Sequence, residues 1–316
     1  MTAPASSPQG SGPPGVAVVA AGRTDVGRER NHNEDRLLTY PALDLFVVAD
    51  GMGGHHAGEV ASALCAKSLE NYFRASRHGN ADAALLEDPR PLDAEARRLL
   101  GAVRKANTDV FQISRASGKH RGMGTTVVAA HVARATGLLH VAHVGDSRCY
   151  RLRRGVFTAL TRDHSLVGEA QLLKPDITPE ELAMLPKNVI SRAIGRGARV
   201  EIDVRSEPVE VGDTYLLCSD GLCGPVEDPD IRAILLRETE PRAACQALVD
   251  AANAAGGPDN ITAIVIQIVA AEGGVAAPED DDFAGFAEAH RRCTACREII
   301  SEVARFCGHC GTMLEE

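Results

Sequence analysis

The 316-residue sequence predicts an α+β protein: a four-layer α-β-β-α sandwich of two antiparallel sheets between outer helices, plus a small C-terminal cysteine module. Three observations lead there. Between residues 125 and 160, four candidate strands (125–134, 138–144, 147–154 and 156–160) follow one another through connections of only a few residues. Parallel neighbours need far longer crossovers, so these strands read as an antiparallel meander, which argues against a Rossmann or barrel arrangement. The long amphipathic patterns fall in two pairs, 58–76 with 93–115 and 227–237 with 240–254, with many strands between them. Helices on the outer faces of a two-sheet core would bury both sets. Finally, Cys293, Cys296, Cys307 and Cys310 crowd into the last 24 residues, apart from everything else.

The elements follow in order. Residues 1–15, MTAPASSPQGSGPPG, are rich in Pro, Gly and Ser and lack the basic and apolar regions of a signal peptide, so a disordered leader is expected. Candidate strands VAVVAAG (16–22), RLLTY (36–40) and LDLFVVA (43–49) precede the first helix pair. A short helix is expected at Thr178-Pro179-Glu180-Glu181, with an N-cap threonine, Pro at the first helical position and a capping-box glutamate. Strands at 198–209, 213–219 and 261–269 complete a large domain over residues 16–270. Residues 271–289, AEGGVAAPEDDDFAGFAEA, read as an acidic linker, and the cysteine module occupies 290–316. No internal repeat is visible.

Composition narrows the function classes. A net charge of −9, from 34 Lys+Arg against 43 Asp+Glu, disfavours non-specific binding to nucleic acid or an anionic membrane. No stretch approaches the roughly 20 apolar residues of a membrane span, and a cytoplasmic monomer is expected. With aromatics at 3% and no Trp, the core must rest on Val, Leu, Ile and Ala.

Five acidic motifs share one design, an apolar run ending or beginning at an acid flanked by small residues. They are Asn33-Glu34-Asp35, Ala49-Asp50-Gly51, Gly145-Asp146-Ser147, Ser219-Asp220-Gly221 and Pro258-Asp259-Asn260. Singly, each reads as a turn, since Asp-Gly is a common turn dipeptide. Together, on one rim, four or five carboxylates would repel severely without cations. Oxygen-only ligation suits Mg2+ or Mn2+ much better than zinc. Two such ions imply hydrolysis, most often of a phosphate ester, and such a site calls for a guanidinium to hold phosphoryl oxygens. Arg30, five residues before Asp35, is the candidate; a solvated surface arginine is the plain alternative.

The ordered motifs TDVGRERNHNED, VVADGMGGHHAGE, GMGTTV, HVGDSRCYRL, LTRDHS, SRAIG, LLCSDGL and GGPDNIT resemble the bacterial branch of the metal-dependent (type 2C, PPM) serine/threonine phosphatases over residues 16–270. The resemblance implies an α-β-β-α sandwich with a dinuclear Mn/Mg centre and a weaker third metal. It implies that Asp50 bridges two metals, that the Gly51 carbonyl binds the second, and that Asp220 and Asp259 bind the first. Glu34 and Asp35 match the acidic pair that ligates or orients metal-bound water. Asp146 and Asp220 match the third-metal ligands, Arg30 the phosphate-binding arginine, and Ser165–Ile190 the flap beside the site.

VVADGMGGHHAGE is no P-loop, because Glu59-Val60 stands where Lys-Ser/Thr should follow the Walker spacing. Eukaryotic members typically carry a histidine just after the bridging Asp-Gly as general acid; here Met52 has no proton to donate. Third-metal water, bulk water and His55 remain the options.

The module C-x2-C-x10-C-x2-C over Cys293, Cys296, Cys307 and Cys310 has the spacing of a four-thiolate site for one structural Zn2+, and RFCGHCGTML resembles short bacterial zinc ribbons. Dithiol redox chemistry is the rival. The sequence thus leads to a protein phosphatase acting on phosphoserine and phosphothreonine, opposing a Ser/Thr protein kinase and its targets. The alternative is a catalytically weak, phosphatase-like scaffold that binds phosphoproteins.

Overall fold

The computed structural model describes residues 15–53, 56–77, 82–116, 118–186, 189–271, 290–292 and 299–301. Residues 1–14 of the leader, most of the linker, His55 and the four C-terminal cysteines lie outside the described residues.

In chain order the elements are β1 (Val16–Asp25), β2 (Asp35–Tyr40), β3 (Leu45–Met52), α1 (Ala57–Ser76), α2 (Ala83–Leu86) and α3 (Ala94–Ala116). Next come β4 (Gly124–Thr125), β5 (Val127–Ala133), β6 (Leu138–Val144), β7 (Arg148–Arg153), β8 (Val156–Ala159), α4 (Leu166–Leu173) and α5 (Pro179–Ala183). The rest are β9 (Asp203–Pro208), β10 (Thr214–Cys218), α6 (Asp220–Cys223), α7 (Asp228–Arg237), α8 (Pro241–Ala254), β11 (Ile261–Ala270), β12 (His290–Arg292) and β13 (Ile299–Ser301). No helix among the described residues is long and apolar enough to cross a membrane.

Two large antiparallel sheets form, in strand order β1-β11-β10-β7-β8 and β2-β3-β5-β6-β9, with β4 pairing on β3 and β12 with β13 making a separate two-stranded pair. The period of two along each strand explains the layering. In β3, Phe46 and Val48 face the other sheet beside Tyr215, Leu217, Ile264 and Ile266. Leu45 and Val47 point the opposite way, onto α1 and α3 residues such as Leu64, Leu69, Leu99 and Val103. On the other sheet, Leu216, Ala263 and Val265 pack under Ile231, Leu235, Leu248 and Val249 of α7 and α8. Strands covered on both faces have no need of polar residues at alternate positions, which is why the run LFVVA is apolar throughout.

The meander expectation needs correction. β5 pairs with β6 and β7 with β8, but β6 and β7 belong to different sheets. Gly145-Asp146-Ser147 carries the chain across the sandwich instead of turning within one sheet. Gly145 does this at φ +107, where a Cβ would lie 2.7 Å from the Thr126 side chain. The Thr126 and Ser147 hydroxyls then pin the corner at 2.7 Å. Short connections dictated antiparallel hairpins but carried no information on which sheet each hairpin joins. The Thr178 helix forms as expected, its hydroxyl accepting from the Glu181 N–H and the Glu181 carboxylate accepting from the Thr178 N–H.

Candidate metal centre

Strand register brings the acidic motifs to one end of the sandwich. Asp35 opens β2 and Asp50 nearly closes β3, and the two are direct cross-strand partners. Asp220 follows the end of β10 and Asp259 precedes the start of β11, strands that are neighbours in the facing sheet. Asp146 stands at the corner between the sheets. The Asp50 carbonyl accepts from the Thr126 N–H at 2.8 Å and from the Thr125 hydroxyl at 2.8 Å, while the Asp50 N–H donates to the Thr126 hydroxyl at 3.0 Å. Gly51 is required where it stands. A Cβ there would fall 2.1 Å from the Gly58 carbonyl oxygen and 2.6 Å from that of Glu34. Its absence lets the first turn of α1 close over β3 and brings Glu34 onto the same rim.

The electrostatics are those of crowded acids. Burial, with Asp35, Asp220, Asp146 and Asp259 adding repulsion, pushes the Asp50 carboxyl well above the usual range. Burial pushes Asp35 up to about 7 against hydrogen bonds from Thr262 and Ser219 that favour its charge. It also pushes Asp146 to about 7, with Asp220 adding to the effect. Glu34 and Asp220 are raised by burial too. Four buried carboxylate oxygens, Glu34 Oε1, Asp35 Oδ1, Asp146 Oδ1 and Asp220 Oδ1, have no hydrogen-bond partner among the described residues. Leaving such acceptors unmatched costs roughly 1–3 kcal/mol each, and more when charged. An all-oxygen, acceptor-only set with orphaned lone pairs fits hard divalent cations.

Arg30 joins this cluster, its Nη2 donating to Asp259 Oδ2 at 2.7 Å, while half of its side chain remains exposed. Thus Arg30, Glu34, Asp35, Asp50, Gly51, Asp146, Asp220 and Asp259 share one end of the sandwich.

Residues that sequence reasoning passed over hold the arrangement. Asn260 accepts from the Glu34 N–H at 2.7 Å and donates to the Val26 and His32 carbonyls at 2.9 and 3.0 Å, fastening the loop that carries Arg30. Ser219 donates to Asp35 Oδ2 at 2.7 Å and accepts from the Thr262 N–H at 3.0 Å. Both stand beside singled-out aspartates, in SDGL and PDNIT, and that adjacency was the available signal.

His164 is buried and ties the flap segment to the Asp146 corner. Its N–H donates to the Gly145 carbonyl at 2.9 Å, and its Nδ1 accepts from the Gly145 N–H at 3.2 Å. His143, His164 and Asp203 offer donor atoms within 4.8 Å of one another. However, these atoms already have protein partners: His164 Nδ1 accepts from the Gly145 N–H, its Nε2 lies 3.4 Å from Arg192 Nη1 and 3.5 Å from Asp203 Oδ2, and His143 Nε2 bonds the Arg162 carbonyl at 2.9 Å, so the trio reads as a packed strut instead of a second metal site.

Sequence comparison agrees with this architecture. Residues 26–254 match the family described as protein phosphatase 2C. The chain belongs to the protein phosphatase 2C family. It is similar to the serine/threonine phosphatase stp of Listeria monocytogenes, 36% identical over 251 residues that cover 78% of this chain and 94% of that one. Among solved structures, the Mycobacterium tuberculosis serine/threonine phosphatase PstP/Ppp superposes with a TM-score of 0.68 at 35% identity, covering 80% of this chain and 99% of that one. The PstP catalytic domain in complex with 2 manganese ions gives a TM-score of 0.67 at 35% identity and the same coverages.

Proposed function

We propose that the protein is a Mn2+- or Mg2+-dependent phosphatase that hydrolyses phosphoserine and phosphothreonine in proteins. The observation that carries this is the rim of buried carboxylates with orphaned oxygens in a chain of this family. A complete acid set supports turnover in preference to mere phosphoprotein binding. We assign Asp50 and the Gly51 carbonyl to a shared pair of cations, Asp220 and Asp259 to the first of them, and Asp146 with Asp220 to a third. Glu34 and Asp35 complete the rim. When bound, the cations supply the Lewis acidity that activates water and neutralises phosphoryl charge. Arg30 holds the remaining phosphoryl oxygens; its bond to Asp259 keeps the guanidinium facing the cluster, and its exposure leaves it open to substrate. The decisive experiment is Mn2+-dependent release of phosphate from a phosphothreonine peptide, abolished by chelation.

Met52 leaves the leaving-group proton to another donor, and we assign it to His55. His55→Ala then lowers turnover of a phosphothreonine peptide by roughly 10²-fold. An aryl phosphate, whose leaving group needs little protonation, loses much less. Equal losses on both substrates would remove His55 from the reaction.

The assigned domain plan is a leader at 1–15, the phosphatase domain at 16–270, a linker at 271–289 and a zinc ribbon at 290–316. Supporting the ribbon, β12 and β13 pair antiparallel on either side of the stretch of sequence that carries Cys293 and Cys296. Full-length protein is expected to carry about one zinc per chain, lost in Cys307→Ser. Free thiols without zinc would exclude it. A cytoplasmic monomer that reverses the work of a Ser/Thr protein kinase completes the reading.

A further inference from the structure

A cavity of about 580 Å³, lined by Phe111, Ser114, Arg115, Arg121, Gly122, Gly195 and Arg196, opens past the β3–β4 pairing that follows Asp50. Two of its walls, at Gly122 and Gly195, continue segments that reach Asp50. Gly122 lies two residues before Gly124, which pairs with Met52. Gly195 follows Ile194, which exchanges both backbone hydrogen bonds with Thr125, at 2.9 and 3.1 Å. The Thr125 hydroxyl in turn donates to the Asp50 carbonyl.

The charge of this cavity is out of keeping with the chain. The protein is acidic overall, at −9, yet three arginines and no carboxylate line the cavity. Arg196 donates Nη1 to the Gly122 carbonyl at 2.8 Å, and the Arg115 guanidinium lies 5.7 Å from the Phe111 ring centroid. None of the three forms an ion pair with a carboxylate among the described residues, whereas about half of the arginines of the sandwich do. Three exposed guanidiniums without counter-charges make a site for anions, and two of them are oriented by contacts that leave donors free.

We infer that this cavity binds anionic side chains flanking the phosphorylated residue of the substrate chain, either carboxylates or a second phosphate. The inference rests on the phosphatase reading above. An extended peptide advances about 3.3 Å per residue, so a segment anchored by its phosphate at the metal centre lays neighbouring side chains across the adjoining rim. Arg115, Arg121 and Arg196 then act on substrate choice, leaving the chemistry to the carboxylate rim.

The test compares full-length protein on three phosphothreonine peptides whose flanks carry alanine, glutamate or a second phosphothreonine, together with a small aryl phosphate. Wild type is expected to favour the anionic flanks about tenfold in kcat/KM, an advantage that salt erodes. Arg115→Glu/Arg121→Glu is expected to remove or invert that preference through KM. A matched reversal at Arg237, exposed on α7 in the opposite helical layer, retains it. The glutamate and phosphothreonine peptides distinguish the two sources of negative charge. No preference in wild type, or equal loss on every substrate in the double variant, overturns the inference. Failure of the underlying phosphatase reading would look different, with no Mn2+-dependent hydrolysis of any peptide, including the alanine one.

Discussion

Asp50→Asn is expected to lower Mn2+-dependent kcat/KM on a phosphothreonine peptide by roughly 10³-fold or more, since metal-centred stabilisation supplies several kcal/mol of the barrier reduction. The same substitution is expected to raise the melting temperature of the protein without metal. Asp50 faces Asp35, Asp220, Asp146 and Asp259, and burial already disfavours its charge. An amide of the same shape removes one repelling charge while leaving the backbone bonds to Thr125 and Thr126 intact. Wild type should gain stability on Mn2+ addition and Asp50→Asn should gain little, because binding to the folded state alone is what stabilises it. Asp220→Ala should behave alike in activity. Hydrolysis that survives chelation, or survives both substitutions, would overturn the mechanism.

The second large effect is on pH. Asp35 and Asp146 are held at about 7 in the folded protein, against an ordinary value of 3.8. Groups raised in this way stabilise the fold most at low pH, and the contribution is lost as pH rises through 7. His164 works in the opposite sense. Burial, aided by His143 and Arg192, lowers it from 6.5 to about 4, so its contribution is present above 6.5 and lost as pH falls towards 4. The two effects oppose each other below 6.5, and above it only the carboxylates titrate. Chelated protein should therefore lose melting temperature between pH 6.5 and about 8, while Mn2+-saturated protein stays level. Mn2+ affinity should climb up to about tenfold per pH unit for each proton it displaces. A Mn2+ thermal shift of the same size at both ends of that range would show that the carboxylates are already ionised.

Much of the site was legible because metal ligation places severe demands on local sequence. Asp35, Asp50, Asp220 and Asp259 each stand at a strand end, Asp50 and Asp220 with a glycine directly after, and these features are contiguous in the chain. Asn260 and Ser219 were not legible in the same way. Their partners, Glu34, His32, Asp35 and Thr262, lie from 43 to 228 residues away, and no local pattern distinguishes such a bond from a solvated side chain. The arginine-lined cavity was invisible for the same reason, since α3 and the turns at Gly122 and Gly195 meet only in the folded chain.

By itself the sequence determined the antiparallel pairing of β5 with β6 and of β7 with β8, because connections of a few residues cannot hold a parallel crossover, along with the helix at Thr178 and the acids that end the strands. Only the tertiary structure decided that β6 and β7 part at Gly145-Asp146-Ser147 and join opposite sheets. Hydrophobic burial is non-directional, so a strand apolar on both faces fits either sheet. The left-handed turn at Gly145, packed on Thr126, settles the choice and puts Asp146 across from Asp50 and Asp220.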